Sequence, residues 1–178
     1  MADWQAVVED LVDQRGGRLV AYAAMLVSRD ADAEDLVHDA LVKCFSRRRR
    51  IETVADAEAY VRRAIWTLAI DRARARGSRE RTATRAFSRE SDGADLDAGL
   101  DVRRALRELA PRERTCIVMR YFDDLTVAQI AEGIGVADGT VKRYLANAGA
   151  KLVPLLDVTA DWDQGPDRAD VIPAKKGR

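Results

Sequence analysis

Residues 126–151 read TVAQIAEGIGVADGTVKRYLANAGAK, and the spacing within this stretch decides the fold. Thr126, followed three residues on by Gln129, fits a capping box and marks a helix start. Ile130, Ala131 and Ile134 form the inner face of that helix, with Ala131 small where a second helix must cross closely. Gly135 follows where the turn needs a residue tolerant of positive φ. Val136 packs the turn, Asp138 or Gly139 opens the next helix, and Val141 and Leu145 point back to the core. This order of small residue, turn glycine and apolar anchors predicts a helix-turn-helix. The outer side of its second helix offers Thr140, Lys142, Arg143, Tyr144 and Asn147, types suited to phosphate and base-edge contacts in a major groove. An ordinary helical hairpin with a polar outer face is the competing reading, and the fit of the whole spacing favours DNA binding.

Working upstream, Pro111 suits the first turn of another helix, whose Ile117, Val118, Met119, Tyr121 and Phe122 supply a small core. Leu100, Val102, Leu106 and Leu109 carry a helical period before it. From Ser78 to about Asp97 that period disappears and polar residues dominate, which reads as a linker. Further upstream, Trp4, Val7, Val8, Leu11 and Val12 form one apolar stripe, Gly16-Gly17 interrupts it, and Leu19 to Val27 resumes it. A strong amphipathic helix follows from Ala31 to about Arg47. Ile51 to Val54 reads as a loop, and a long helix from Ala55 to Arg76 is expected to end at Gly77 as its C-cap. The expectation is an all-α chain of two small helical domains, residues 1–78 and 98–157. A flexible linker, residues 79–97, joins them, and a polar C-terminal tail, residues 158–178, is read as disordered, with a regulatory segment as the competing reading.

Composition narrows the function. No apolar run approaches the roughly 20 residues of a membrane helix, and Met1 to Trp4 lacks the order of a signal peptide, so a cytoplasmic protein without membrane insertion is expected. Cys44, Cys116 and the single His38 make no zinc constellation, and each thiol reads as a buried structural one. There is no paired histidine and no Gly-rich phosphate loop, and Asp123-Asp124 falls where a helix is ending. An enzyme is therefore not expected, nor a cofactor, a metal or a small-molecule substrate.

Net charge is zero, but its distribution is uneven. Residues 1–42 carry 3 basic and 9 acidic groups, whereas residues 43–90 carry 14 basic and 6 acidic. An acidic start followed by a basic block suggests two partners. In the basic helix, Arg62, Arg63, Arg72, Arg74 and Arg76 can lie along a phosphate backbone. Trp66 suits stacking on an unpaired base, although a place in the core explains it at least as well. In the acidic helix, Glu34, Asp35 and Asp39 rim a wide apolar stripe that includes Leu36 and Leu41. That rim suits docking on a basic protein surface, with an ordinary solvated face as the competitor.

Together these segments resemble the extracytoplasmic-function sigma factors, especially the actinobacterial kind. Ala33-Glu34-Asp35-Leu36-Val37-His38-Asp39-Ala40-Leu41 is similar to the AEDLVQEAL signature of sigma region 2. Tyr60-Val61-Arg62-Arg63, then Leu68-Ala69-Ile70-Asp71 and the arginines after it, resemble the later part of that region. Leu106 to Arg114, Val118 to Phe122, and Gly139-Thr140-Val141-Lys142 resemble region 4.

The resemblance implies that core RNA polymerase is bound through Glu34, Asp35, Leu36, Asp39 and Leu41. It implies that the −10 element of promoter DNA is read and melted by the loop around Arg50 to Ala57 with Arg62, Arg63, Trp66, Arg72, Arg74 and Arg76. The −35 element would meet Thr140, Lys142, Arg143, Tyr144 and Asn147, and an anti-sigma factor joins the classes of partner. The sequence departs from the pattern in three places. Thr67 stands where relatives often carry Asn, Arg72-Ala73 where they often carry aromatics, and Asn147 and Gly149 where basic residues are expected. Weak −35 affinity follows from the last. Two rival readings are a homodimeric helix-turn-helix regulator acting without polymerase, which leaves the upstream helices unexplained, and a decoy that binds polymerase but not promoter.

Overall fold

The structure, a computed structural model, describes residues 4–46, 51–82, 98–156, 158–160 and 171–173. Helices α1 (Trp4–Leu26), α2 (Ala31–Phe45) and α3 (Val54–Thr82) pack on one another as a first unit. Helices α4 (Ala98–Arg107), α5 (Pro111–Tyr121), α6 (Val127–Ile134) and α7 (Asp138–Leu156) form a second. The fold is all-α in both units, as the periodicity predicts. Two short strands are added in the tail, β1 (Val158–Ala160) and β2 (Val171–Pro173), paired antiparallel with Thr159 opposite Ile172. They fall in the stretch read as disordered. The basic run Arg47 to Arg50, residues 83–97 of the expected linker, and residues 161–170 and 174–178 of the tail lie outside the described residues.

In the first unit α1 runs unbroken through Gly16-Gly17, where the sequence suggested a break. Two interior glycines cost about 1 kcal/mol each relative to alanine. Packing overrules that cost: Leu11 and Leu19, on either side of the pair, are fully buried, as is most of Tyr22. Helix α2 places Ala33, Leu36, Val37, Ala40 and Cys44 inward at helical spacing, with Asp32 and Glu34 in its first turn, where carboxylates complement the helix dipole. Thr53 starts α3: its Oγ accepts the Asp56 N–H at 3.1 Å and donates to the Asp56 carboxylate at 2.7 Å. At its other end α3 continues past Gly77 to Thr82, so that glycine is a helical residue and not a C-cap. The C-terminal end of α2 is fixed by Phe45 and Tyr60, whose rings meet edge to face at 6.5 Å.

In the second unit α5 is the innermost helix, with every residue from Glu113 to Met119 buried. Arg114 is the notable one, only 2% exposed. Its guanidinium donates to the carbonyls of Leu106 (2.8 Å), Arg107 (3.1 Å) and Leu109 (3.2 Å). Carbonyls at the end of a helix have no intrahelical partner, and a cation there also meets the negative end of the dipole. Cys44 and Cys116 are both buried and neither is in a disulfide, as read from their surroundings. Burial pushes the Cys116 thiol up to about 12, with Arg112 pulling the other way and Glu113 adding to the rise.

Candidate nucleic-acid interface

The helix-turn-helix is built by α6 and α7. Thr126 Oγ accepts the Gln129 N–H at 3.3 Å while Gln129 Oε1 accepts the Thr126 N–H at 2.8 Å, which is the reciprocal box the sequence predicts. Gly135 closes α6 at φ 68° and ψ 47°, and the Val136 N–H reaches back to the Ala131 carbonyl at 3.0 Å. The Ala137 carbonyl accepts the Thr140 N–H at 2.8 Å and begins α7. Ile130, Ala131, Val141 and Leu145 are buried, so the two helices are locked by the anchors expected. That rotation leaves Lys142, Arg143 and Asn147 exposed on α7, with Thr140 and Tyr144 half-buried beside them.

One neighbour of this surface escaped the sequence reading. Arg112, on α5, donates from Nη1 to the Tyr144 hydroxyl at 3.3 Å. The Arg143 guanidinium lies 5.9 Å from the centre of the same ring. Tyr144 is thus bracketed by two cations drawn from different helices.

In the first unit the arginines of α3 divide by partner. Arg62 donates to Glu58 at 2.8 Å and lies 5.0 Å from the Tyr22 ring centre. Glu58 is itself buried and also receives Arg15 at 2.6 Å. Arg72 is bound to the Asp39 carboxylate, and Arg76 to that of Asp32 at 3.1 Å. Arg63 and Arg74 are exposed and make no ion pair among the described residues. Trp66 is 5% exposed, so the core reading of that ring is the one realised and it presents no face to a base.

On α2, Glu34, Asp35 and Asp39 are exposed and Leu41 is half-buried, but Leu36 is wholly buried. Leu36 belongs to the stripe that seats α2 on its neighbours and is not available to a docking partner. The exposed apolar group here is Val42, 53% accessible, which the sequence reading passed over. Among the described residues no cluster of His, Cys, Asp or Glu is arranged to hold a metal ion, and no helix is long and apolar enough to cross a membrane.

Comparison with known proteins matches each unit separately and in order. Residues 11–79 match the family described as Sigma-70 region 2, and residues 99–152 that described as Sigma-70, region 4. The RNA polymerase sigma-E factor of Streptomyces coelicolor is 32% identical over 149 residues, which cover 81% of this chain and 82% of the relative. This chain belongs to the extracytoplasmic-function sigma factors of the sigma-70 family. The ECF RNA polymerase sigma factor SigL of Mycobacterium tuberculosis is 29% identical over 150 residues, 79% of this sigma factor and 83% of that one. In fold, the sigma factor is similar to the sigma factor RpoE of Bartonella quintana, solved in complex with the anti-sigma factor NepR. That likeness has a TM-score of 0.61 at 23% identity, over 84% of this chain and 96% of that one. The sigma factor's region 2 is the α1–α3 unit, and its region 4 the α4–α7 unit.

Proposed function

We propose that this sigma factor joins core RNA polymerase, brings it to promoters through their −10 and −35 elements, and promotes melting of the DNA at the start site. The observation that carries the reading is the order of matches: region 2 and then region 4 on one chain, over a length shared with RNA polymerase sigma-E factors. A homodimeric regulator would account for α6 and α7 but leave α2 and α3 without a task.

In this reading the exposed acids Glu34, Asp35 and Asp39, with Leu41, face the polymerase. On α7, Lys142 and Arg143 meet phosphates, while Asn147 and the half-buried Thr140 reach base edges. Bond making belongs to the polymerase, so the chain contributes recognition and unpairing and needs no catalytic group. Its place is the cytoplasm, beside the polymerase. Core enzyme and promoter DNA are the two obligatory partners, and an anti-sigma factor is a third class, the one that occupies the similar sigma factor from Bartonella quintana.

The test is transcription with purified bacterial core polymerase on a library of duplex and pre-melted promoters, with and without the protein. Start sites that depend on the protein establish an initiation factor. Binding to duplex DNA with neither core binding nor start sites would replace this reading with the dimeric regulator.

A further inference from the structure

Among the described residues, two acidic–basic contacts between α2 and α3 follow a pattern. Arg72 and Arg76 stand one turn apart on α3, and the acids they meet, Asp39 and Asp32, stand seven residues or about two turns apart on α2. The later arginine meets the earlier acid, as antiparallel helices require. Arg72 also donates to the Asp35 carbonyl at 3.4 Å, and Asp32 has a second cation, Arg29, at 3.8 Å. Arg63 and Arg74 are eleven residues apart, about three full turns, and so share a side of α3. Both are exposed without an ion pair among the described residues.

From this partition we propose that Arg72 and Arg76 are positioning residues that hold α2 in register on α3, and that promoter phosphates in this region are met by Arg63 and Arg74 instead. The inference rests on the reading of α2 as the polymerase-facing helix and α3 as a DNA-facing one. A phosphate approaching Arg72 must either displace Asp39 or stand beside it as a second anion. Arg63 and Arg74 present no such competitor among the described residues. The bridges are partly exposed, with the side chains of Arg72 and Arg76 28% and 46% accessible, so they contribute little to holding the unit together. The buried stripe of Leu36, Val37 and Ala40 does that. What the bridges restrain is the slide and rotation of α2 about the stripe, and hence where Glu34, Asp35 and Asp39 point.

The test uses the full-length protein, purified core polymerase and a pre-melted promoter duplex. The charge swap is made at Asp32 and Arg76, because Asp39 is itself a proposed polymerase contact. Arg76→Asp and Asp32→Arg should each weaken core binding about threefold or more, and the double reversal should recover core binding and promoter binding to within about twofold of the parent. The salt dependence of promoter affinity should be unchanged in Arg72→Ala and Arg76→Ala, and shallower by about one in Arg63→Ala and in Arg74→Ala. A double reversal as weak as the poorer single variant overturns the proposal, as does a shallower slope in Arg72→Ala. Failure of the parent protein to bind core polymerase overturns the polymerase reading itself, an outcome distinct from a swap that binds core but is not rescued.

Discussion

The ammonium of Lys151 donates to Glu113 Oε2 at 2.7 Å and so joins a late turn of α7 to the first turn of α5. The same oxygen accepts the Ala110 N–H at 3.1 Å, one of the donors left open at the start of α5. The two partners are unequal, since the lysine side chain is 46% exposed and the glutamate's 9%. Glu113→Ala should therefore cost about 1–2 kcal/mol through the lost cap. Lys151→Ala should cost about 0.5 kcal/mol, in the range of exposed pairs. Urea unfolding with an unchanged m-value measures both, and equal losses would contradict the assignment of the capping role to Glu113.

Arg114 should be far less tolerant. Its three carbonyl partners, at the end of α4 and just after it, are spread across a guanidinium fork that an ammonium cannot reproduce. Arg114→Lys is expected to lose about 2 kcal/mol and Arg114→Ala about 3 kcal/mol, since both take guanidinium donors away from carbonyls in a buried setting. Thermal unfolding reads the difference. A Lys variant as stable as the parent would mean that charge alone suffices there.

At the turn of the helix-turn-helix, Gly135→Ala should cost about 1 kcal/mol. The Cβ would meet nothing within 4 Å, so the whole penalty comes from φ 68° and none from crowding. Gly135→Asn should recover part of it, because asparagine tolerates the left-handed region better than alanine. A loss in the asparagine variant as large as in the alanine variant would point to packing instead.

Alkali should destabilise the α4–α7 unit through Cys116. Its thiol is held up to about 12 in the folded chain against 9.0 in an exposed one. Between those values the unfolded state has released a proton that the folded state keeps, so stability falls as pH rises through that window and is full below it. Tyr121, also raised by burial, adds in the same direction. Cys116→Ala should lose less stability than the parent between pH 9 and 11, as followed by urea midpoints. The native thiol should also resist alkylation at pH 8 until the chain is unfolded.

On α7 the proposed roles separate by assay. Lys142→Ala should weaken binding to all −35 duplexes alike and lower the salt slope by about one. Asn147→Ala should alter the preference among duplexes and leave the slope in place. Competition binding at several salt concentrations distinguishes the two, and a sequence-specific effect of Lys142→Ala would reassign it.

How much of this was legible in the sequence depends on how local each signal is. The Thr126–Gln129 box, the left-handed Gly135 and the anchors Val141 and Leu145 all act within a few residues, and each is where the spacing puts it. The arginines of α3 were not separable that way. Charge counts cannot tell Arg72, bonded to a residue 33 positions away, from Arg74 just after Ala73. Arg112 reaches Tyr144 across 32 positions and gave no local sign. Gly16-Gly17 and Gly77 look like punctuation because glycine weakens a helix, yet the preference is small beside the burial of residues such as Leu11 and Leu19. Trp66 shares its register with Ile65, Ala69 and Ile70, and that spacing carried the better clue. Strands of three residues, such as Val158–Ala160, are too short for an alternating pattern to announce them.

Glu58, with Arg15 on one side and Arg62 on the other, sets a constraint on how this protein can change over generations. Neutralising position 58 alone takes the shared carboxylate from two half-buried cations, at a cost of about 2 kcal/mol or more. Losing one arginine is milder, since the other still answers the carboxylate. A lineage leaving this arrangement can therefore shed one arginine first, but not the second while the glutamate remains, because a lone carboxylate would then be left in the interior. The three positions behave as a single inherited character.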